Sequence, residues 1–202
     1  MLGRLDEAIS TAEKAITFDP SDEQAYNSRG IARWLEHDPE AALIDFQKAI
    51  RINPEYSKAY NNIVVYYFTG EQYQSALRYF TNAITFDSLY TEPYSNRGFT
   101  FRRLGQLAQA FSDLTKAIKI NPEYADAFLN RGGVLNDSKK YQAAFNDFSM
   151  AMQLHPEGHK SWKGRGISRY MLNDRTGACN DWQEAQKRDS PDAAELLARF
   201  CR

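Results

Sequence analysis

Apolar and small residues return along this chain at intervals of 34, and that spacing predicts its elements. Ala8, Ala42, Ala76, Ala110, Ala144 and Ala178 form one unbroken column, and Ala15, Ala49, Ala83, Ala117, Ala151 and Ala185 form a second. Pro20, Pro54, Pro122 and Pro156 form a third, with Ser88 and Ser190 in its remaining places. Within each period the apolar positions follow helical spacing, which predicts two helices of about 13 residues joined by a short turn. Large residues recur at Tyr26, Tyr60, Tyr94, Phe128 and Trp162 on the first helices and at Phe46, Phe80, Leu114, Phe148 and Trp182 on the second. Gly30, Val64, Gly98, Gly132 and Gly166 make a small column on the first helices. Small residues let paired helices approach, and large ones fill the space between pairs, so the aromatics are read as core.

Five full periods are expected, at residues 23–56, 57–90, 91–124, 125–158 and 159–192. Residues 1–22 precede them, with a stripe of Leu5, Ala8, Ile9, Ala12, Ala15 and Ile16 that predicts the second helix of a leading pair. Asp19-Pro20 stops that helix, because a residue before proline is pushed out of helical geometry. A half pair leaves an apolar face uncovered; truncation of a longer chain is the expectation, and cover by another surface is the other reading. Asp38 is expected to cap a second helix starting at Pro39, while Gly70 and Gly105 fall at or beside the corresponding turn. Residues 191–202 predict a capping helix with Ser190 as its cap, Pro191 at its first position and Leu196, Leu197 and Phe200 on its apolar face. The expectation is a single all-α array of about twelve helices.

These columns resemble the tetratricopeptide repeat (TPR) family over nearly the whole chain. The resemblance implies antiparallel helix pairs winding into a right-handed superhelical solenoid whose concave face is lined mainly by first helices. The sequence departs from the family pattern at Ser88 and Ser190 in the proline column, and at Val64, where glycine is expected. Those departures bear on local turn shape.

Charge and composition narrow the function. Lys and Arg number 25 against 26 Asp and Glu, for a net charge of -1. Binders of nucleic acid or anionic membrane carry a basic excess, so nucleic acid is not an expected partner. No run of about 18 apolar residues exists, so no membrane span is expected. The opening MLGRLDEAIS is not a secretory signal, which makes a cytoplasmic location the default reading. Two cysteines are too few for a disulfide framework or a four-ligand zinc site; Cys179 and Cys201 either pair once or stay as buried thiols.

Nothing in the chain reads as catalytic, and no cofactor or metal is expected. His155 and His159 are four apart, but Pro156 breaks the helix between them. Gly132-Gly133 and Gly164-Arg165-Gly166 fall inside predicted first helices, so they read as packing positions rather than a phosphate loop. Arg29, Arg97, Arg131 and Arg165 share a column that Ile63 interrupts, and Asp45, Asp113, Asp147 and Asp181 share one that Tyr79 interrupts in the same period. The charges appear and vanish together, which predicts an Arg–Asp bridge inside each of four pairs rather than a row of anion receptors.

Three first-helix columns point away from the core: Asn27, Asn61, Ser95, Leu129, Lys163; Ile31, Val65, Phe99, Gly133, Ile167; and Trp34, Phe68, Arg102, Asn136, Tyr170. Rows of such apolar and aromatic residues predict a partner-binding groove of Asn27, Ile31, Trp34, Asn61, Val65, Phe68, Phe99, Arg102, Arg103 and Tyr170. The TPR subgroup that holds chaperone C-termini uses lysines and asparagines on this face. The matching columns here hold Asn27, Ile31, Asn62, Glu92 and Asn96, without the basic clamp, so that subgroup is not implied. The expected function is a non-catalytic protein-interaction scaffold that holds a peptide or helical segment with apolar anchors and an acidic residue. Two alternatives stand beside it: a homodimer formed through Leu5, Ile9, Ala12 and Ile16 of the leading helix, and the docking or regulatory part of a larger enzyme.

Overall fold

The computed structural model describes residues 2–70 and 72–201. All secondary structure among them is helical: α1 (Leu2–Phe18), α2 (Glu23–Leu35), α3 (Pro39–Ile52), α4 (Ser57–Asn62), α5 (Val64–Thr69), α6 (Tyr73–Phe86), α7 (Thr91–Arg103), α8 (Leu107–Ile120), α9 (Ala125–Asp137), α10 (Tyr141–Leu154), α11 (His159–Met171), α12 (Arg175–Lys187) and α13 (Ala193–Phe200). The chain packs as two compact units, residues 1–93 and 94–202. Consecutive helices pair antiparallel: Arg169 bonds the Gly177 carbonyl, Arg165 bonds Asp181, and Trp182 bonds the Lys163 carbonyl, so partner numbers fall as helix numbers rise.

The columns bury as their composition demands. Ala42, Ala49, Ala76, Ala83, Ala110, Ala117, Ala144, Ala151, Ala178 and Ala185 all lie in the core, beside Phe46, Phe80, Leu114, Phe148 and Trp182. Each large side chain removed from water contributes roughly 1.5–3 kcal/mol. Paired helices meet through bare backbone at the glycines. A Cβ on Gly30 would lie 2.6 Å from the Phe46 ring, and one on Gly98 would lie 2.6 Å from Leu114.

The first helix of 57–90 departs from this scheme. It is broken at Ile63 into α4 and α5, so the twelve expected helices appear as thirteen segments among the described residues. Val64, next in sequence, occupies the glycine column and is buried in one cluster with Phe80. In the other pairs the facing side chain takes that space, Phe46 over Gly30 and Leu114 over Gly98, so an isopropyl group here has to be packed differently. The helical hydrogen-bond pattern gives way just there, where the Tyr66 amide donates to the Ile63 carbonyl at 3.3 Å, a three-residue step.

Turn chemistry explains the ends. Asp38 accepts from the Ala41 amide at 3.0 Å with Pro39 in the first turn, and Asp174 accepts from the Gly177 amide at 2.8 Å. The hairpin turns place His37, Gly105, Lys139 and Asn173 at φ 65°, 73°, 59° and 66°, the left-handed geometry that closes a helix. Gly70 does not take that geometry; its φ is -93°. Losing proline at Ser88 leaves its turn intact, because Asp87 accepts from the Leu89 amide as Asn53 does from Glu55 and Asn121 from Glu123, each at 3.0 Å. At Ser190 the shape does change: Asp189 turns to φ 58° and the Ser190 amide reaches back to Ala185 at 3.1 Å.

The capping helix begins at Ala193, two residues later than the proline signal predicts, and Ser190 does not cap it with its hydroxyl. The Ser190 carbonyl accepts from the Ala193 amide instead, and its side chain is buried without a hydrogen-bond partner. The Phe200 ring packs on Tyr170 at 4.8 Å and on Trp182 at 5.8 Å. Cys179 and Cys201 are joined in a disulfide, with Cα atoms 5.8 Å apart, which ties the end of α13 to α12.

Candidate functional site

The arginine column has a structural task. Arg29, Arg97, Arg131 and Arg165 each donate through Nε and Nη2 to Asp45, Asp113, Asp147 and Asp181, all at 2.7–2.9 Å. Each guanidinium also stacks on the large aromatic three residues earlier: Tyr26, Tyr94, Phe128 or Trp162. Asp45 is 1% exposed and accepts a third bond from Arg33, a partner that column reading misses. Arg169 plays the same part for Asp181, at 3.4 Å. Where Ile63 and Tyr79 replace the pair, Ile63 is fully buried and the Tyr67 hydroxyl donates to Tyr79 at 3.2 Å. Burial, with that hydrogen bond behind it, pushes the Tyr67 hydroxyl up to about 12.

A groove of about 850 Å³ opens on the first helices of the second unit. Phe99, Leu129, Gly133, Ile167 and Met171 give it apolar lining, while Arg102, Arg103, Asp126, Asp137, Lys160 and Lys163 supply the charges. Arg102 holds Asp137 in two bonds, Nε to Oδ2 at 2.6 Å and Nη2 to Oδ1 at 3.2 Å. Its guanidinium crosses directly over Gly133, where any Cβ would overlap it. Lys163 is tied to Asp192 at 2.6 Å. Lys160 is exposed and has no ion-pair partner among the described residues.

Phe99, Arg102 and Arg103 therefore come together as the sequence suggests, in company with Leu129, Gly133, Asn136, Lys163 and Ile167 from the same three columns. Asp126, Asn130, Tyr141, Lys160 and Met171 also line the groove and were not anticipated. The rest of the expected set lies elsewhere. Tyr170 sits beneath the capping helix against Phe200. Asn27 is buried, its carboxamide oxygen accepting from Asn62 at 3.0 Å, and Asn61 donates to the Tyr90 hydroxyl at 3.4 Å. Trp34, Val65 and Phe68 pack on the core cluster of the first unit, leaving Ile31, 40% exposed, as the solvent-facing member of that group.

A second groove, about 630 Å³, lies between α1 and α2. Ala8, Thr11, Ala12 and Ala15 line it from α1, with Ala25 and Ser28 opposite. Leu5, Ile9 and Ile16 are half-buried and lie outside it, so the groove is lined from α1 mainly by small residues. Among the described residues no three His, Cys, Asp or Glu side chains gather to hold a metal, and no helix is long and apolar enough to cross a membrane.

A family profile described as Tetratricopeptide repeat matches residues 2–57 and 97–159. No curated protein matches the sequence. Among solved structures the chain is similar to the APC/C hetero-tetramer Cut9–Hcn1, with a TM-score of 0.90 at 15% identity over 100% of this chain and 40% of that one, so it spans less than half of that relative's length. It is similar to pilF of Pseudomonas aeruginosa, with a TM-score of 0.83 at 20% identity over 97% of this chain and 90% of the other. It is also similar to YrrB, a TPR protein with an unusual peptide-binding site, with a TM-score of 0.69 at 20% identity over 95% and 99% of the two chains. At these identities the likeness is one of fold.

Proposed function

The chain belongs to the tetratricopeptide repeat family, and from that premise we propose that it is a non-catalytic scaffold whose second unit holds a peptide or helical segment of a partner protein along α7, α9 and α11. TPR proteins are interaction scaffolds as a class. The observation that carries the finer reading is the 850 Å³ groove lined by both apolar and charged side chains, the composition of a recognition surface. Its walls stand on helices, so little has to be ordered when a segment enters. The fold-level likeness to YrrB, with its peptide-binding site, agrees with a peptide as the occupant.

The test is affinity capture with the full chain and an Ile167→Ser, Met171→Ser variant, whose sites are 36% and 47% exposed and so are expected to tolerate serine. A protein retained by the parent and lost by the folded variant supports the groove. Equal retention by both moves the site elsewhere.

The α1–α2 groove favours a second reading, self-association through α1. Sedimentation velocity decides it: a dimer that Ala8→Glu converts to monomer supports assembly, and a monomeric parent removes it.

A further inference from the structure

We propose that the groove of the second unit selects a segment carrying a large apolar side chain beside a carboxylate, the apolar group seated between Arg102 and Ile167 and the carboxylate met by Lys160. This rests on the reading that a partner segment occupies the groove.

The apolar seat follows from one position. The column Ile31, Val65, Phe99, Gly133, Ile167 carries a large side chain everywhere except at Gly133. In the second unit the Arg102 guanidinium takes that place in the row, in one groove with Phe99 of α7 and Ile167 of α11. Ile167 and Met171 are 36% and 47% exposed and border it with apolar surface open to solvent. The Arg102 guanidinium lies close enough over Gly133 to exclude a Cβ, and it is held there by both oxygens of Asp137. A guanidinium with its edge occupied by a carboxylate still offers its face, which is weakly hydrated and stacks well on apolar or aromatic groups. The pair thus forms a fixed wall of the seat, and Arg102 is already committed when the partner's acid arrives.

Charge then selects the neighbour. The whole chain is near neutral at -1, yet the groove lining has four cations, Arg102, Arg103, Lys160 and Lys163, against the carboxylates of Asp126 and Asp137. Asp137 pairs with Arg102 and Asp192 with Lys163. Lys160 stands exposed on the lip, second residue of α11, where the amino end of the helix adds its own preference for negative charge. A basic segment would meet this rim unfavourably, whereas an acidic one is drawn to it.

The experiment pans a phage-displayed random peptide library on the full chain, then measures recovered peptides by fluorescence anisotropy against parent, Gly133→Ile and Lys160→Glu proteins, with circular dichroism to verify folding. Recovered peptides should pair Leu, Ile, Met or an aromatic with Asp or Glu, and each substitution should weaken them by at least about tenfold. Peptides that Gly133→Ile weakens but Lys160→Glu leaves unchanged would overturn this proposal while keeping the groove as the docking site. Peptides indifferent to both substitutions, or no enrichment at all, would overturn the groove reading along with it.

Discussion

The guanidinium of Arg97 meets the carboxylate of Asp113 in two parallel hydrogen bonds, Nε to Oδ2 at 2.7 Å and Nη2 to Oδ1 at 2.9 Å. Both groups are largely withdrawn from water, so either one alone is costly. Asp113→Ala strands the cation between Tyr94 and Phe101 and should destabilise the protein by about 3 kcal/mol in urea unfolding. Arg97→Ile with Asp113→Tyr copies Ile63 and Tyr79 and should recover most of that loss. A double variant as unstable as the sum of the single ones would show that the pair is not one energetic unit.

Two glycines on first helices, Gly98 against the paired helix and Gly133 in the groove, should answer oppositely to alanine. Gly98→Ala drives a methyl into Leu114 and toward the Ala110 carbonyl, and overpacking of this kind costs about 1–3 kcal/mol. Gly133→Ala pushes the Arg102 guanidinium off its bonds to Asp137, a part-exposed pair worth about 0.2–1 kcal/mol, while alanine favours the helix by about 1 kcal/mol. Thermal unfolding should rank Gly133→Ala at or above the parent and Gly98→Ala below it.

The capping helix depends on its bridge. Cys179 and Cys201 are 22 residues apart in sequence, and opening a loop of that size removes about 3 kcal/mol of constraint on the unfolded chain. Reduction, or Cys201→Ser, should lower the Tm by several degrees and speed amide exchange in α13 before the rest of the second unit. Unchanged exchange in α13 would mean that Phe200 packing alone holds the cap.

Alkaline pH should weaken the first unit. Burial, reinforced by Glu92, pushes the Tyr90 hydroxyl up to about 12, and burial with the bond to Tyr79 does the same for Tyr67. Both are raised above the ordinary 10.0, so the stability they contribute is present below pH 10 and is lost as pH rises through about 12. Absorbance titration should show Tyr67 and Tyr90 among the last of the twelve tyrosines to ionise, and their replacement by Phe should remove the latest part of the transition.

The 34-residue columns made the helices, the alanine core and the four Arg–Asp pairs legible, because contacts inside a pair fall at the same offset of 16 in every period: Arg29 to Asp45, Arg165 to Asp181. Contacts between neighbouring first helices run one residue off that period. Asn27 meets Asn62, Ser95 meets Asn130 and Arg102 meets Asp137, each 35 apart. A column read at 34 therefore misses the Asn62 partner of Asn27 and the Asp137 partner of Arg102. Tyr170 was misplaced for a different reason: its cover comes from α13, which lies outside the periodic pattern. The break at Ile63 was signalled only by Val64, whose bulk acts through packing that the column does not display.

Hydrogen–deuterium exchange of the full chain, with and without a bound partner segment, tests the central claim most directly. Slowed exchange in α7, α9 and α11, strongest around Gly133 and Ile167, is the predicted result. Slowing confined to α8, α10 and α12, or to α1, would contradict it.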